Sequence, residues 1–556
     1  MKRFLFSCVI FTLILSLSLS TAAFGTYIDG KRILSPPIWY PENALTDNEN
    51  LPVATNDTMY SEWDMGYVEA YSPGFQKFVS KIDGYSIIIP TSMTVDMSLS
   101  DVGAYFEDSH RTLRIFKETF KTIPERESYL EYSNRFIQNK TNHTVESDTT
   151  FSQGGYTYHV LQWTRSKLTK VKNDKNYYAC VDVCIGARVY TFFFTSDQPF
   201  YLCGGYMDIV NSLQTFDPIV AFENAYNRGY KESSVSHLNS YAKATYDNLF
   251  SDDADFKMGM FAPEVYGGFE KMEEFERTLN YKFCAFLVYT EFPDKHATNT
   301  ITYASRVANY ISKIEQNFIY ARNTGRAIEL TLQTPLSRLS DSNMIYEILN
   351  GEYEQFIKAY AKMVAKYQDV TVLFRPFNEM NCDWCNYSAY FTSRDPSLYV
   401  ELYRYLYNQF KAAGCTNTIW VWNPNEKSFP GYKWNSESLY YPGDEYVDVY
   451  GLTGYNTGTY YPSEIWRSFD EIYEPIYKRA LKINEKPIMI TEFSCSSVGG
   501  DKIAWIDDMF NSLHKYDKIK VGIWWHAADY DGDTLARPYF MDTPDGTLSV
   551  FKKYLQ

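Results

Sequence analysis

Two glutamates lie in strings that point to a shared task. Glu379 follows the run Val370-Thr-Val-Leu-Phe-Arg375 through Pro376, Phe377 and Asn378, and Glu492 follows Pro487-Ile-Met-Ile-Thr491. Each run reads as a short buried strand, so each glutamate stands at the C-terminal end of a strand. One glutamate in such a place is more often a helix cap or a solvated loop residue; two, each in a distinctive string, are a different matter. Carboxylates that face one another over a cleft can cleave an acetal. One protonates the leaving oxygen, and the other attacks the sugar carbon or activates water.

Both carboxylates must be delivered to the same rim, and the rhythm of the surrounding chain predicts how. Eight short apolar runs recur between residues 256 and 525: Phe256–Phe261, Phe283–Tyr289, Ala327–Leu332, Val370–Arg375, Thr418–Trp422, Val447–Leu452, Pro487–Thr491 and Val521–Trp525. Longer amphipathic segments separate them. In Tyr353–Lys366 the residues Phe356, Tyr360, Met363 and Val364 fall at helical spacing, and Gly414 follows Leu398–Ala413 as a C-terminal cap. Eight strand–helix pairs over some 300 residues are the count and size of an α/β fold of (β/α)8, or TIM-barrel, type. The rival, an open doubly wound sheet, calls for a glycine-rich turn after its first strand; Ala262-Pro263-Glu264 is not one. In a barrel the C-terminal strand ends form the active rim, and strands four and seven lie across its mouth.

The remainder of the chain divides by composition. Lys2 and Arg3 precede an apolar run from Phe4 to Leu19 and the small residues Thr21, Ala22 and Ala23, the pattern of an export signal over residues 1–25. The run is shorter than the roughly 20 residues of a spanning helix, so the expectation is a secreted chain with no membrane attachment after cleavage. An extended lead-in rich in Pro and Asn occupies 26–60. Residues 61–218 read as a small α+β domain with one antiparallel sheet: strands at Tyr85–Pro90, Arg114–Thr119, Tyr156–Thr164, Tyr177–Ile185 and Arg188–Thr195, a turn at Gly186, and a helix at Met207–Leu213. The alternation of Val181, Val183 and Ile185 predicts half-buried strands. This pattern is loosely similar to the PsbP/Mog1-type fold, which implies no activity. A polar linker over 219–251 leads to the barrel at 252–556, and the first domain is expected to be separable from it.

Charge and composition narrow the partners. A net charge of −15 excludes a cationic face for nucleic acid or anionic lipid. The 50 Tyr, 37 Phe and 11 Trp suit stacking on sugar rings, although most must fill cores. Of nine cysteines Cys8 lies in the signal run, and the lone Cys382-Asp-Trp-Cys385 lacks the second ligand pair of a structural zinc site. No metal or organic cofactor is expected.

Four strings resemble glycoside hydrolase family 26 over roughly Asp252 to Gln556. Arg375-Pro-Phe-Asn-Glu379-Met-Asn-Cys-Asp-Trp384 is similar to the family's acid/base string, and Ile490-Thr-Glu492-Phe to its nucleophile string. Asp448-Val-Tyr-Gly-Leu-Thr-Gly-Tyr455-Asn and Trp420-Val-Trp422-Asn-Pro-Asn resemble its strand-six and strand-five segments. The resemblance implies Glu492 as nucleophile with Tyr455 beside it, Glu379 as general acid and then base, and Asn378 on the sugar 2-hydroxyl. Arg375 would orient carboxylates, Trp384, Trp422 and Trp525 are candidate sugar platforms, and His526 reads as a satisfied, non-catalytic histidine. Two departures concern the sugar: Asn378 stands where the family usually has His, and Thr453 where it has Asp. The implied function is a retaining, endo-acting β-mannanase working as a monomer on a β-linked polysaccharide. β-1,3-Xylanase and mixed-linkage β-glucanase activities belong to the same family, and a silent carbohydrate-binding barrel is the rival of another class.

Overall fold

The structure, a computed structural model, describes residues 26–28, 31–33, 66–218, 235–297, 301–335, 338–483 and 485–556. The export signal, most of the lead-in and residues 219–234 of the expected linker lie outside these residues. Two short strands, β1 (Thr26–Ile28) and β2 (Lys31–Ile33), are described from the lead-in.

The N-terminal region is built on two antiparallel sheets. β3 (Gly66–Ser72), β4 (Phe75–Ser80) and β5 (Tyr85–Pro90) form a meander. β6 (Thr94–Asp96), β7 (Ala104–Glu107), β8 (Arg111–Thr119), β9 (Thr144–Gln153), β10 (Tyr156–Thr164), β11 (Tyr177–Ile185) and β12 (Arg188–Ser196) form a larger sheet in the order β6-β7-β8-β12-β11-β10-β9. Gly186, at φ +60°, turns the β11–β12 hairpin. Helix α1 (Ile123–Ser133) opens on a capping box between Thr122 and Glu125, and α2 (Tyr206–Asn211) precedes β13 (Gln214–Thr215), which adds to the edge of β5.

The central strands β11 and β12 of the larger sheet are buried on both faces, not one. Ala179, Val181 and Val183 of β11 pack with Phe192 and Phe194 of β12 and with Ile209 of α2. The alternate residues Tyr178, Cys180 and Cys184 join Phe116, Trp163 and Phe193 in a core that is continuous with the barrel's own. The expected half-buried strands are therefore corrected: the barrel covers the face that alternation assigned to water. His143 Nε2 lies 2.9 Å from the Tyr346 hydroxyl, Trp434 Nε1 donates to Ser133 Oγ at 3.0 Å, and Lys433 N donates to Glu118 at 2.6 Å across this junction.

Helix α3 (Ser240–Phe250), capped by Asn239, leads into a closed parallel barrel. Its strands are β14 (Lys257–Phe261), β15 (Ala285–Val288), β16 (Ala327–Leu332), β17 (Val372–Pro376), β18 (Thr418–Trp422), β19 (Val449–Asn456), β20 (Ile488–Cys495) and β21 (Ile519–Trp525), and β21 pairs back onto β14. All eight fall on the apolar runs of the sequence. The crossovers are α4 (Gly268–Leu279), α5 (Tyr303–Thr324), α6 (Met344–Leu349) with α7 (Glu354–Lys366), α8 (Ser397–Ala413), α9 (Phe469–Ile483), α10 (Lys502–Ser512) and, after β21, α11 (Thr547–Tyr554). The connection after β18 departs from the expected pattern: it has three 3-10 turns and no α-helix. Pro424, Pro430 and Pro442 in that stretch remove the donors a helix needs. β22 (Ala528–Asp531) and β23 (Thr534–Pro538) form a small sheet with β1 and β2. No described helix is long and apolar enough to cross a membrane.

Candidate active site

Strand alternation decides which side chains enter the barrel. On β17, Val372 and Phe374 face the helices, while Leu373 and Arg375 point inward with Ile419 and Val421 of β18. Arg375 is fully buried and is the hub of the site. Its Nη2 donates to Glu492 Oε1 at 2.5 Å, its Nη1 donates to Asn423 Oδ1 at 2.9 Å, and its Nε pairs with Glu329 Oε1 at 2.5 Å. The carboxylate of Glu492 holds its proton even more firmly than usual against the cost of burial, and Glu329 adds to this where it is ionised.

Glu492 reaches this hub because β20 is irregular. Met489 points into the barrel, so strict alternation would turn Glu492 outward. The pairing of β20 with β21 shifts between Ile490 and Phe493, and its pairing with β19 shifts so that Thr453 faces Glu492. This bulge re-aims the carboxylate inward, a common device beside reacting centres. Tyr455 then donates its hydroxyl to Glu492 Oε2 at 2.7 Å. Both carboxylate oxygens are thus held by charge or by hydrogen bond, which fixes the group in one orientation.

Glu379 lies just past β17, with Phe377 and Glu379 itself in the left-handed region at φ +54° and +56°. That conformation is costly for residues with a β-carbon and persists only where the surroundings impose it. Here the Glu379 amide donates to the Asn423 carbonyl at 2.7 Å, and Asn425 Nδ2 donates to Glu379 Oε1 at 2.6 Å. One residue, Asn423, therefore touches both the Glu379 backbone and the arginine that holds Glu492. Asn378 is buried; its Oδ1 accepts from Gln333 at 2.8 Å, whereas its Nδ2 has no protein partner among the described residues. A buried amide donor left open at this rim is suited to a ligand hydroxyl.

The aromatic candidates separate. Trp525 lies at the top of the barrel interior, its Nε1 donating to Tyr289 at 3.1 Å and its ring edge-on to Tyr455 at 5.9 Å. Trp384 is half-buried beside Phe429 at 5.0 Å, five residues beyond Glu379. Trp422 is fully buried on the helix-facing side of β18, edge-on to Tyr441 and Tyr450, and is placed as core packing instead of a sugar platform. β18 is the reason: Trp420 and Trp422 alternate with the inward Ile419 and Val421. His526 accepts from the Met541 amide, and burial depresses its imidazole to about 3, so it stays neutral and structural. The eight described cysteines are free thiols, and no group of metal-binding side chains occurs among the described residues.

Sequence reasoning missed Glu329, Asn423 and Asn425. The two asparagines stood in the Trp420-Val-Trp422-Asn-Pro-Asn string, whose tryptophans drew attention because aromatics suit sugars. Glu329 is the one charged residue in the run Ala327-Ile-Glu-Leu-Thr-Leu332, a buried charge that calls for a partner. Burial lifts its carboxyl to about 8; Arg375 opposes this and Glu492 adds to it. Glu329 is in consequence neutral near pH 7 and leaves the arginine's charge to Glu492. Because its folded value lies above the ordinary carboxyl value, its contribution to stability is full in acid and is lost as pH rises through about 8. Glu329→Gln, a neutral isostere, should keep activity near pH 7 and flatten the fall in Tm between about pH 5 and 8. Equal losses of activity at pH 6 and pH 9 would show that an ionised Glu329 is needed.

The fold and site have the arrangement that glycoside hydrolysis uses: a parallel eight-stranded barrel whose fourth and seventh strands bring one glutamate each to the same rim. The model of glycosyl hydrolase family 26 matches residues 330–491. The chain is 34% identical over 186 residues to Endoglucanase H of Acetivibrio thermocellus, a match over 32% of this chain and 20% of that protein. It is 37% identical over 100 residues to a mannan endo-1,4-beta-mannosidase of Bacillus subtilis, over 17% of this chain and 26% of the other. The chain thus spans about a fifth to a quarter of the length of these curated relatives. Among solved structures, the catalytic domain of a GH26 endo-beta-1,4-mannanase from Bacillus sp. JAMB-750 aligns at 16% identity and a TM-score of 0.43, over 59% of this chain and 93% of that one.

Proposed function

We propose that this chain is an exported, retaining β-glycoside hydrolase that cuts mannan-type polysaccharide internally by double displacement. The observation that carries the reading is the Glu492–Arg375–Asn423–Glu379 linkage, which ties one fully engaged carboxylate to a second at the rim. Glu492, held by Arg375 and Tyr455, attacks the anomeric carbon and forms a glycosyl–enzyme intermediate. Glu379, steadied by Asn425, protonates the leaving oxygen and then takes the proton from the water that releases the product. The open Nδ2 of Asn378 holds the sugar 2-hydroxyl. The basic start and apolar run at the N-terminus support export, and the acidic chain works as a monomer on a neutral glycan.

Mixed-linkage β-glucan is the second reading. It is favoured by the likeness to Endoglucanase H, which extends over more of this chain than that to the mannosidase. Release of reducing ends from mannan, glucomannan, xylans and mixed-linkage glucan separates the readings, and no release from any of them would leave a silent binding protein. Proton NMR of the first product should show the β-anomer; an inverted product would require a carboxylate pair spaced for an intervening water, about 6.5–9.5 Å apart instead of about 5–5.5 Å.

A further inference from the structure

Glu379 does not stand on its strand. It opens the segment of residues 377–396 between β17 and α8, and the far half of that segment lies against the N-terminal sheet domain. Tyr132 of α1 donates its hydroxyl to Asp383 and stacks on Tyr390 at 4.7 Å. His143 Nε2 lies 2.9 Å from Ser393 Oγ. Arg394, fully buried, donates to the Tyr129 hydroxyl at 2.6 Å and sits 4.0 Å from Asp182 of β11. Tyr178 donates to Asp395 at 3.1 Å, and Arg114 approaches the same carboxylate at 3.4 Å.

These contacts are coupled to Glu379 through the backbone. The Cys382 amide donates to the Glu379 carbonyl, Cys385 to Cys382, Ser388 to Cys385, Phe391 to Ser388 and Arg394 to Ala389, in successive turns. Ser393 and Arg394 are themselves left-handed, at φ +57° and +56°. A segment with four such residues has little reason to keep this shape unaided. Asp182 shows how specific the outer anchor is. Although burial opposes its charge, hydrogen bonds from His159 and Thr191 and the charges of Arg394 and His159 keep its carboxyl below the ordinary value. It is thus an anion on the sheet face turned to the barrel, beside the one guanidinium the segment sends out.

We propose that the N-terminal sheet domain is a working part of the catalytic unit, with Tyr132, Asp182 and Arg394 acting as positioning residues that hold the Glu379 segment in register. The proposal rests on the reading of Glu379 as the general acid. Its consequence is chemical selectivity: loosening the clamp harms the step that needs a proton delivered, not the attack by Glu492.

The test uses the full chain with Tyr132→Phe, Arg394→Lys and Asp182→Asn, and Glu379→Ala as reference. Substrates are phenyl and 2,4-dinitrophenyl β-mannobiosides, or the matching β-cellobiosides if glucan is the polysaccharide cut. The readout is kcat/KM, which reports the first, leaving-group step. Phenyl substrates, with a poor leaving group, should lose about tenfold or more, since small displacements of a reacting group cost up to about 100-fold. The dinitrophenyl substrate, which needs little protonation, should stay within about twofold. Tyr132→Phe keeps the stack on Tyr390 and so remains folded should the buried ion-pair variants fail. Equal losses on both substrates, or no loss on either in folded Tyr132→Phe, overturn the clamp. Absence of the split in Glu379→Ala itself would instead overturn the assignment of the acid.

Discussion

Glu492→Ala is expected to lose nearly all turnover on every substrate, whereas Glu379→Ala should lose polysaccharide hydrolysis yet still release dinitrophenol. The asymmetry follows from what each group touches. Glu492 has one oxygen on Arg375 and the other on Tyr455, a carboxylate fixed for attack, and alanine leaves nothing to form the covalent bond. Removing Glu379 takes away only proton transfer, worth on the order of 10²–10⁴-fold where the leaving group is poor. With a good leaving group the first step survives, and the intermediate accumulates because water has no base. Azide needs no base, so it should restore turnover in Glu379→Ala and give the β-glycosyl azide. In Glu492→Ala, azide should enter from the opposite face and give the α-azide. Mass spectrometry of trapped intermediate and NMR of the azide products decide the matter; exchanged products would mean exchanged roles.

The barrel was legible because its strands are short apolar runs at regular spacing, a signal that survives without any tertiary information. The two glutamates were legible because a strand end is where chemistry is presented. The inward aim of Glu492 was not, since period-two counting from Met489 turns it outward and only the β20 bulge reverses this. Nor was the loss of Trp422 to the core: a tryptophan near a rim looks like a sugar platform until its strand's phase is known. The largest error of expectation lay in β11. Tyr177-Tyr-Ala-Cys-Val-Asp-Val-Cys-Ile185 contains the alternation Val181, Val183, Ile185, but the intervening Tyr178, Cys180 and Cys184 are apolar too. A strand apolar on both sides is one covered on both sides. Asp182, the exception, marks where the covering layer brings a cation.

Deleting residues 1–218 should for that reason leave a barrel that does not fold to a soluble, active enzyme. The junction buries Tyr346, Tyr390, Tyr432 and Trp434 on the barrel side, each under 8% exposed. Their partners would go with the deleted residues: Tyr132 stacked on Tyr390, Tyr129 edge-on to Tyr432 at 4.7 Å, His143 against Tyr346, and Ser133 on Trp434 Nε1. Returning a large aromatic to water costs about 1.5–3 kcal/mol each. Arg394 would lose Asp182 and Tyr129, and stripping one partner from a buried charge costs a further ~3–5 kcal/mol where the charge stays buried. Together these losses are comparable with the whole margin of about 5–15 kcal/mol on which a domain stands. The expected result is inclusion bodies or a species without a cooperative melt, with no activity on soluble mannan. Coexpressing residues 61–218 as a separate chain should restore part of the soluble yield, since the same contacts can form between two chains. A barrel fragment that melts cooperatively and hydrolyses polysaccharide at the full-length rate would show that the sheet domain is a passenger.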